Sequence, residues 1–140
     1  MTTILADVKH GVMVSDSSIT DDDRVWAGKK VYRVKGSLIG VAGFEAEISA
    51  FIKWFRGGMV GKVDFTKSSA LILNTHGLYF YDHNYTLPQR IVIGREAIGS
   101  GAKSVMCAYE ALDFQDPRRA VRIVCKHDAN SRTPVRQYKL

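Results

Sequence analysis

The chain is poor in the patterns that would commit it to several large functional classes. It has two cysteines, Cys107 and Cys125, both in helix-like stretches and without metal-type spacing. They are expected to be reduced thiols, buried or half-buried, in a cytoplasmic protein. His10, His76, His83 and His127 form no metal-ligand pattern, and neither a phosphate-binding loop nor a dinucleotide fingerprint occurs. No cofactor and no metal is therefore expected. No apolar run approaches the length of a membrane helix, and the start lacks a basic n-region, so neither a membrane span nor a secretory signal is expected. Repeats, low-complexity tracts and linkers are absent.

What remains is ordinary globular material. With 140 residues, 46% hydrophobic and 24% charged, the chain reads as one domain, 1–140, long enough for its own core. The formal charge is +6. Its cations are dispersed (Lys29, Lys30, Arg33, Lys35; Arg90, Arg95; Arg118, Arg119, Arg122) and are joined by no RNA-binding aromatic signature, so nucleic acid is not an expected partner.

Residues 2–9 and 11–18 alternate as strands, with His10-Gly11 at the turn, which brings Asp16 near a strand end. Asp21-Asp22-Asp23 reads as a solvated loop. Residues 29–34 form a further strand, with Lys30, Tyr32 and Val34 on one face and Lys29, Val31 and Arg33 on the other. The apolar run 37–42 suits a strand buried on both faces. Ile48, Phe51, Ile52 and Phe55 then mark an amphipathic helix over 45–56, stopped by Gly57-Gly58. Residues 57–68 have no period and read as a loop. A hairpin of 69–74 and 78–82 follows, then a strand at 90–93. Gly99-Ser100-Gly101 opens a helix with Val105, Ala108, Tyr109 and Leu112 along one side. Asp116-Pro117 caps another, with Ala120, Ile123, Val124 and His127 on one side, and 133–139 closes the chain as a strand. Periodicity alone supports a mixed α+β fold.

The start, Met1-Thr2-Thr3, has a chemical meaning if Met1 is removed. A threonine at the terminus carries a hydroxyl nucleophile and, as base, an amine of pKa about 7.7–8 in one residue. Taken with the rest, the chain resembles proteasome β-type subunits, and within them the HslV-like peptidases, which are N-terminal nucleophile (Ntn) hydrolases. The resemblance runs through Thr2-Thr3-Ile4, Val14-Ser15-Asp16, Lys30-Val31, Gly40-Val41-Ala42-Gly43, Ala97-Ile98-Gly99-Ser100-Gly101 and Asp128-Ala129-Asn130-Ser131. Each piece is common by itself; their order and spacing carry the likeness.

That resemblance implies a four-layer αββα sandwich with a reduced helical layer, because 57–68 leaves no room for a second long helix after the first. It implies Thr2 as nucleophile, Lys30 as the buried cation and Asp16 as the anion that holds it. Ser100, Asp128 and Ser131 would surround the terminal amine, and Gly43 would offer its N–H to the oxyanion. Ile19, Gly28, Tyr32, Val41 and Glu45 map to the substrate pocket. The implied activity is threonine-type peptide hydrolysis in a self-compartmentalising homo-oligomeric ring. Peptides or unfolded proteins would be the substrates, with room for an ATP-dependent unfoldase as partner. The alternatives are a small-molecule Ntn amidase and a non-catalytic assembly or binding protein that keeps the fold.

Overall fold

The structure is a computed structural model describing residues 2–21, 24–128 and 131–140, with the side chains of residues 20–27 outside that description. Alternation at the start of the chain decides its layering. Ile4, Ala6 and Met13 face one way, while Leu5, Val12 and Val14 face the other, on strands β1 (Thr3–Asp7) and β2 (Val12–Ser15). Every residue of both strands is buried, so neither face of this pair meets water.

Strands β10 (Arg95–Gly99) and β11 (Arg136–Lys139) complete the first sheet, in the antiparallel order β10-β1-β2-β11. The second sheet is also antiparallel. It runs β5 (Val31–Val34), β6 (Ser37–Ala42), β7 (Ser69–Asn74), β8 (Gly77–Tyr81) and β9 (Gln89–Arg90). A separate hairpin pairs β3 (Ser18–Asp21) with β4 (Arg24–Ala27).

Between the sheets lies one core, where Ile4, Ala6, Met13 and Ile98 meet Val31, Leu38, Leu71, Leu73 and Leu78. Helices α2 (Ala102–Ala111) and α3 (Pro117–His127) cover the outer face of the first sheet through Val105, Tyr109, Ala120, Val121 and Val124. Helix α1 (Glu45–Arg56) alone covers the second among the described residues, through Phe51 and Trp54. The result is a four-layer αββα sandwich whose second helical layer is a single helix.

Several expectations are corrected. The run 11–18 is two strands, because the chain leaves the sheet at Asp16-Ser17 before β3 begins. Strand β4 and strand β10 were not legible. The sequence Arg-Glu-Ala-Ile-Gly of β10 is weak in strand formers, and its place comes from pairing with β1, Thr3 opposite Gly99. The strand expected at 90–93 ends at Arg90, and the one expected from 133 starts at Arg136. Lys30 precedes β5 and shares no strand face with Tyr32 and Val34. On α3 the inward face is Pro117, Ala120, Val121 and Val124; His127 is exposed and Ile123 half-buried, because the stripe Ala120-Val121-Val124 is the one that packs on Leu5, Val12 and Val14 of β1 and β2. Cys107 is exposed, not buried, whereas Cys125 is half-buried. Of the acidic cluster, Asp21 ends β3, and Asp22 and Asp23 lie outside the described residues.

Phe51 is fully buried and meets the rings of Trp54, Phe65 and Tyr81 at centroid distances of 5.7, 5.3 and 5.4 Å. Truncation removes both the buried ring and its aromatic partners. Phe51→Ala should lower unfolding stability by roughly 3–5 kcal/mol. The check is the denaturant midpoint, and an unchanged midpoint would contradict this account of the α1 interface.

Candidate active site

Leaving β2, the chain turns at Asp16, whose N–H donates to the Thr3 carbonyl at 3.1 Å. The Asp16 carboxylate has no exposed surface and is satisfied from four parts of the chain. Its Oδ1 accepts from the Thr3 N–H at 2.8 Å and from Lys30 Nζ at 2.9 Å. Its Oδ2 accepts from the Ser18 N–H at 3.0 Å, from Lys30 Nζ at 3.1 Å and from the Arg132 N–H at 3.3 Å. Lys30 is itself 5% exposed. Burial lowers the pKa of its ammonium below the usual lysine range, with the Asp16 hydrogen bond and charge opposing the shift. A lysine so held releases a proton more readily than one at the surface.

Thr2 is half-buried and stands one residue before β1. The peptide group joining it to Thr3 supplies the N–H that bonds Asp16 Oδ1, the oxygen that also receives Lys30. The Thr3 N–H and Lys30 Nζ therefore converge on one carboxylate oxygen. The segment Gly99-Ser100-Gly101 is pressed against this start. A Cβ at Gly99, where φ is +94°, would fall 1.8 Å from the Thr2 carbonyl oxygen, and one at Gly101 would fall 2.0 Å from Thr3 Oγ1.

Asp128 and Ser131 join the site through Thr3. Ser131 Oγ donates to Asp128 Oδ2 at 2.8 Å and lies 2.8 Å from Thr3 Oγ1. Because the single Ser131 hydroxyl proton is given to Asp128, Thr3 is the donor in the second bond. An open groove of about 600 Å3 passes Cys125, Asp128, Ser131 and Arg132. Ser100 is exposed in the turn before α2 and takes no part in this chain of bonds among the described residues. Ala129 and Asn130 lie outside those residues.

On the second sheet, the Val41 N–H donates to the Lys30 carbonyl at 3.4 Å, so Gly43 follows two residues after a direct link to Lys30. Gly43 is exposed and has φ of +147°, open to glycine and strained for other residues. A Cβ there would fall 1.9 Å from Ser68 Oγ. That hydroxyl accepts from the Phe44 N–H at 3.1 Å and donates to the Glu47 carboxylate. Glu47 also accepts from the Thr66 N–H at 2.8 Å, from the Thr66 hydroxyl at 2.6 Å and from the Lys67 N–H at 3.4 Å. Burial alone would raise its pKa; the bonds from Ser68, Thr66 and Lys67 outweigh it and hold the carboxyl at about 2.

The residues expected to form a pocket are differently placed. Ile19 lies over Gly28, where a Cβ would fall 1.8 Å from Ile19 Cδ1. Tyr32 is half-buried, its phenol pKa raised by burial and then by the charge of exposed Glu45. Val41 is 1% exposed in the core beneath α1, which removes it from any open pocket of this chain. Four residues carried no assigned role in the sequence: Thr3, Glu47, Ser68 and Cys125. Glu47 had a usable signal, since it stands three residues after the helix cap Phe44, where a capping-box acid belongs. Burial, then Asp16, pushes the Cys125 thiol up to about 11 against the opposing effect of Lys30, so it stays protonated and is no rival nucleophile.

No family model and no curated protein matches the chain. The solved structures do. The chain has the fold of proteasome β-type Ntn hydrolases. Among its structural relatives is BPH from Thiobacillus denitrificans, with a TM-score of 0.78 at 16% identity over 99% of this chain and 97% of that one. HslV from Trypanosoma brucei superposes with a TM-score of 0.73 at 21% identity, over 99% of this chain and 100% of that one. An Anbu mutant from Hyphomicrobium gives 0.72 at 11% identity, covering 99% and 82%.

A carboxyl held at about 2 from an ordinary 4.5 stabilises the fold above pH 4.5, and that contribution is lost as the pH falls from about 4.5 towards 2. Glu47→Gln should remove this segment of acid sensitivity. Thermal midpoints of the two proteins between pH 5 and about 2 should therefore converge, whereas parallel curves would contradict the assignment.

Proposed function

We propose that the chain is a threonine-type hydrolase of peptide bonds that acts through Thr2 after removal of residue 1. The observation that carries this reading is the convergence of the Thr2–Thr3 peptide and Lys30 Nζ on Asp16 Oδ1 inside a proteasome-like fold. In this mechanism Thr2 Oγ attacks the substrate carbonyl, and its proton passes to the freed α-amine. The Lys30 ammonium stabilises the forming alkoxide, while Asp16 aims it. Gly43 N–H receives the oxyanion. The amine then gives its proton to the leaving nitrogen, and water hydrolyses the acyl ester on Thr2. Thr3, Asp128 and Ser131 organise the surroundings of the amine, with Ser100 at the edge.

Beside the cleaved bond the site takes a small or apolar side chain, a reading that rests on Ile19 beside Gly28, with Tyr32 and Glu45 as polar neighbours that count against it. The molecule works in the cytoplasm as a single-domain subunit of a homo-oligomeric ring on peptides or unfolded protein, alone or served by an ATP-dependent unfoldase. Among the described residues no helix is long and apolar enough to cross a membrane.

BPH has been solved in complex with epoxomicin. The same compound should leave an adduct on Thr2 of protein whose intact mass shows loss of Met1. Thr2→Ala should abolish both adduct and peptide turnover without altering the thermal midpoint. Turnover retained by Thr2→Ala, or an adduct elsewhere, would overturn the nucleophile. Cleavage confined to small amides would favour the amidase alternative, and a Met1-free protein with neither adduct nor turnover would favour the non-catalytic one.

The lysines give a second check. Lys29 is exposed, its Nζ lying 5.4 Å from the Tyr32 ring centroid, so Lys29→Ala should be close to neutral. Lys30→Ala should lose activity and several kcal/mol of stability by stranding the buried Asp16 charge. Lys30→Arg should stay folded yet lose nearly all turnover, since a planar fork does not replace a compact ammonium. Peptide turnover and thermal midpoint for the three variants test the scheme; dispensable Lys30 in an active protein would refute it.

A further inference from the structure

Gly43 stands where the second sheet hands over to α1, and its conformation is set by contacts from 25 residues further along. Phe44 is the N-cap residue of α1, yet its side chain makes no capping bond. In an ordinary capping box, a hydroxyl at the cap and an acid at the third helical position satisfy the first N–H groups reciprocally. Here the acid is present, Glu47, but it reaches the Phe44 N–H only through Ser68, whose hydroxyl, just before β7, bridges the two. Ser68 Oγ accepts from Phe44 N–H at 3.1 Å, donates to Glu47, and occupies the space where a side chain at residue 43 would begin.

This rests on the hydrolase reading above. We infer that Ser68 and Glu47 are positioning residues for the oxyanion donor: they fix the Gly43–Phe44 peptide and the turn at Gly43, so that the Gly43 N–H, which lies in the preceding peptide on the other side of the same Cα, keeps one direction. Three features support this. Ser68 is 3% exposed, so its hydroxyl is held in place by packing as well as by its bonds. The Glu47 carboxylate is anchored on its other side by Thr66 and Lys67, which ties the loop 57–68 to the helix start. Gly43 has φ of +147°, a conformation with little steric restraint of its own, so its direction must come from neighbours. A donor that is fixed before the charge develops stabilises a transition state more than one that must reorient.

The test compares wild type, Ser68→Ala, Glu47→Gln and Leu78→Val, the last a core destabilisation on β8 remote in sequence from the clasp. Steady-state kinetics on a fluorogenic peptide with an aliphatic residue at the cleaved bond are read beside thermal midpoints. Ser68→Ala and Glu47→Gln should lower kcat by about 10- to 100-fold with KM within about twofold. Leu78→Val should lower the thermal midpoint and leave kcat unchanged. If Ser68→Ala fails to fold, Glu47→Gln, which keeps a carbonyl acceptor for Ser68, carries the same comparison. Wild-type kcat in folded Ser68→Ala and Glu47→Gln, or losses tracking the thermal midpoint in all three variants, would overturn the clasp while leaving the hydrolase reading intact. Wild type without Thr2-dependent turnover overturns that reading and the clasp's catalytic role together.

Discussion

A carboxylate with no exposed surface has to be answered by donors, and in this molecule the answer organises the whole site. Asp16 draws in the Thr3 N–H from β1, the Ser18 N–H at the start of β3, the Arg132 N–H after α3 and the ammonium of Lys30 before β5. These donors come from segments that share no local structure. A charge buried without them would be far costlier than any of the bonds is favourable, so their arrangement is enforced by desolvation. The same enforcement brings a lysine and the start of β1 to one oxygen, so the stability of the fold and the geometry of the candidate site are two consequences of one interaction.

Lys30 and Glu47 show opposite outcomes of burial. For Lys30, desolvation outweighs the attraction of Asp16 and lowers the ammonium pKa. For Glu47, donors from Ser68, Thr66 and Lys67 outweigh desolvation and keep the carboxylate charged. Lys30 is a cation held against the cost of its burial by Asp16; Glu47 is a carboxylate held charged by its donors. Both lie by the C-terminal end of β6, Lys30 through the bond from the Val41 N–H to its carbonyl and Glu47 through Gly43 leading into α1.

Much of the architecture was legible because burial on two faces leaves a mark in the chain. The run 37–42 and the helix 45–56 were placed with their observed bounds, since continuous apolar residues and a 3.6-residue period are local signals. The cap at Asp116 was equally local, its carboxylate accepting from the Arg119 N–H at 3.0 Å. Strand β10 was not legible, because its residues are ordinary and only β1 makes them a strand. Trp54 was left out of the inward stripe of α1 although it stands at i+3 from Phe51; the cluster with Phe51 and Tyr81 puts it there.

The site divides in the same way. By itself, the amino-acid sequence supplied the candidate groups for the proposed chemistry: a threonine behind Met1, an acid near the end of a strand, a lysine in the run 29–34, and glycines at the sheet-to-helix junctions. Composition and order suffice for that, because they are properties of residues. Only the tertiary structure decided which groups meet. It put Ser131 on Thr3 rather than in a common cluster with Ser100, closed Val41 beneath α1, and delivered Ser68 to a helix cap 24 residues earlier in the chain. Those choices depend on how two sheets and their helices stack, and they follow from desolvation and close packing across long sequence separations, which no local pattern encodes.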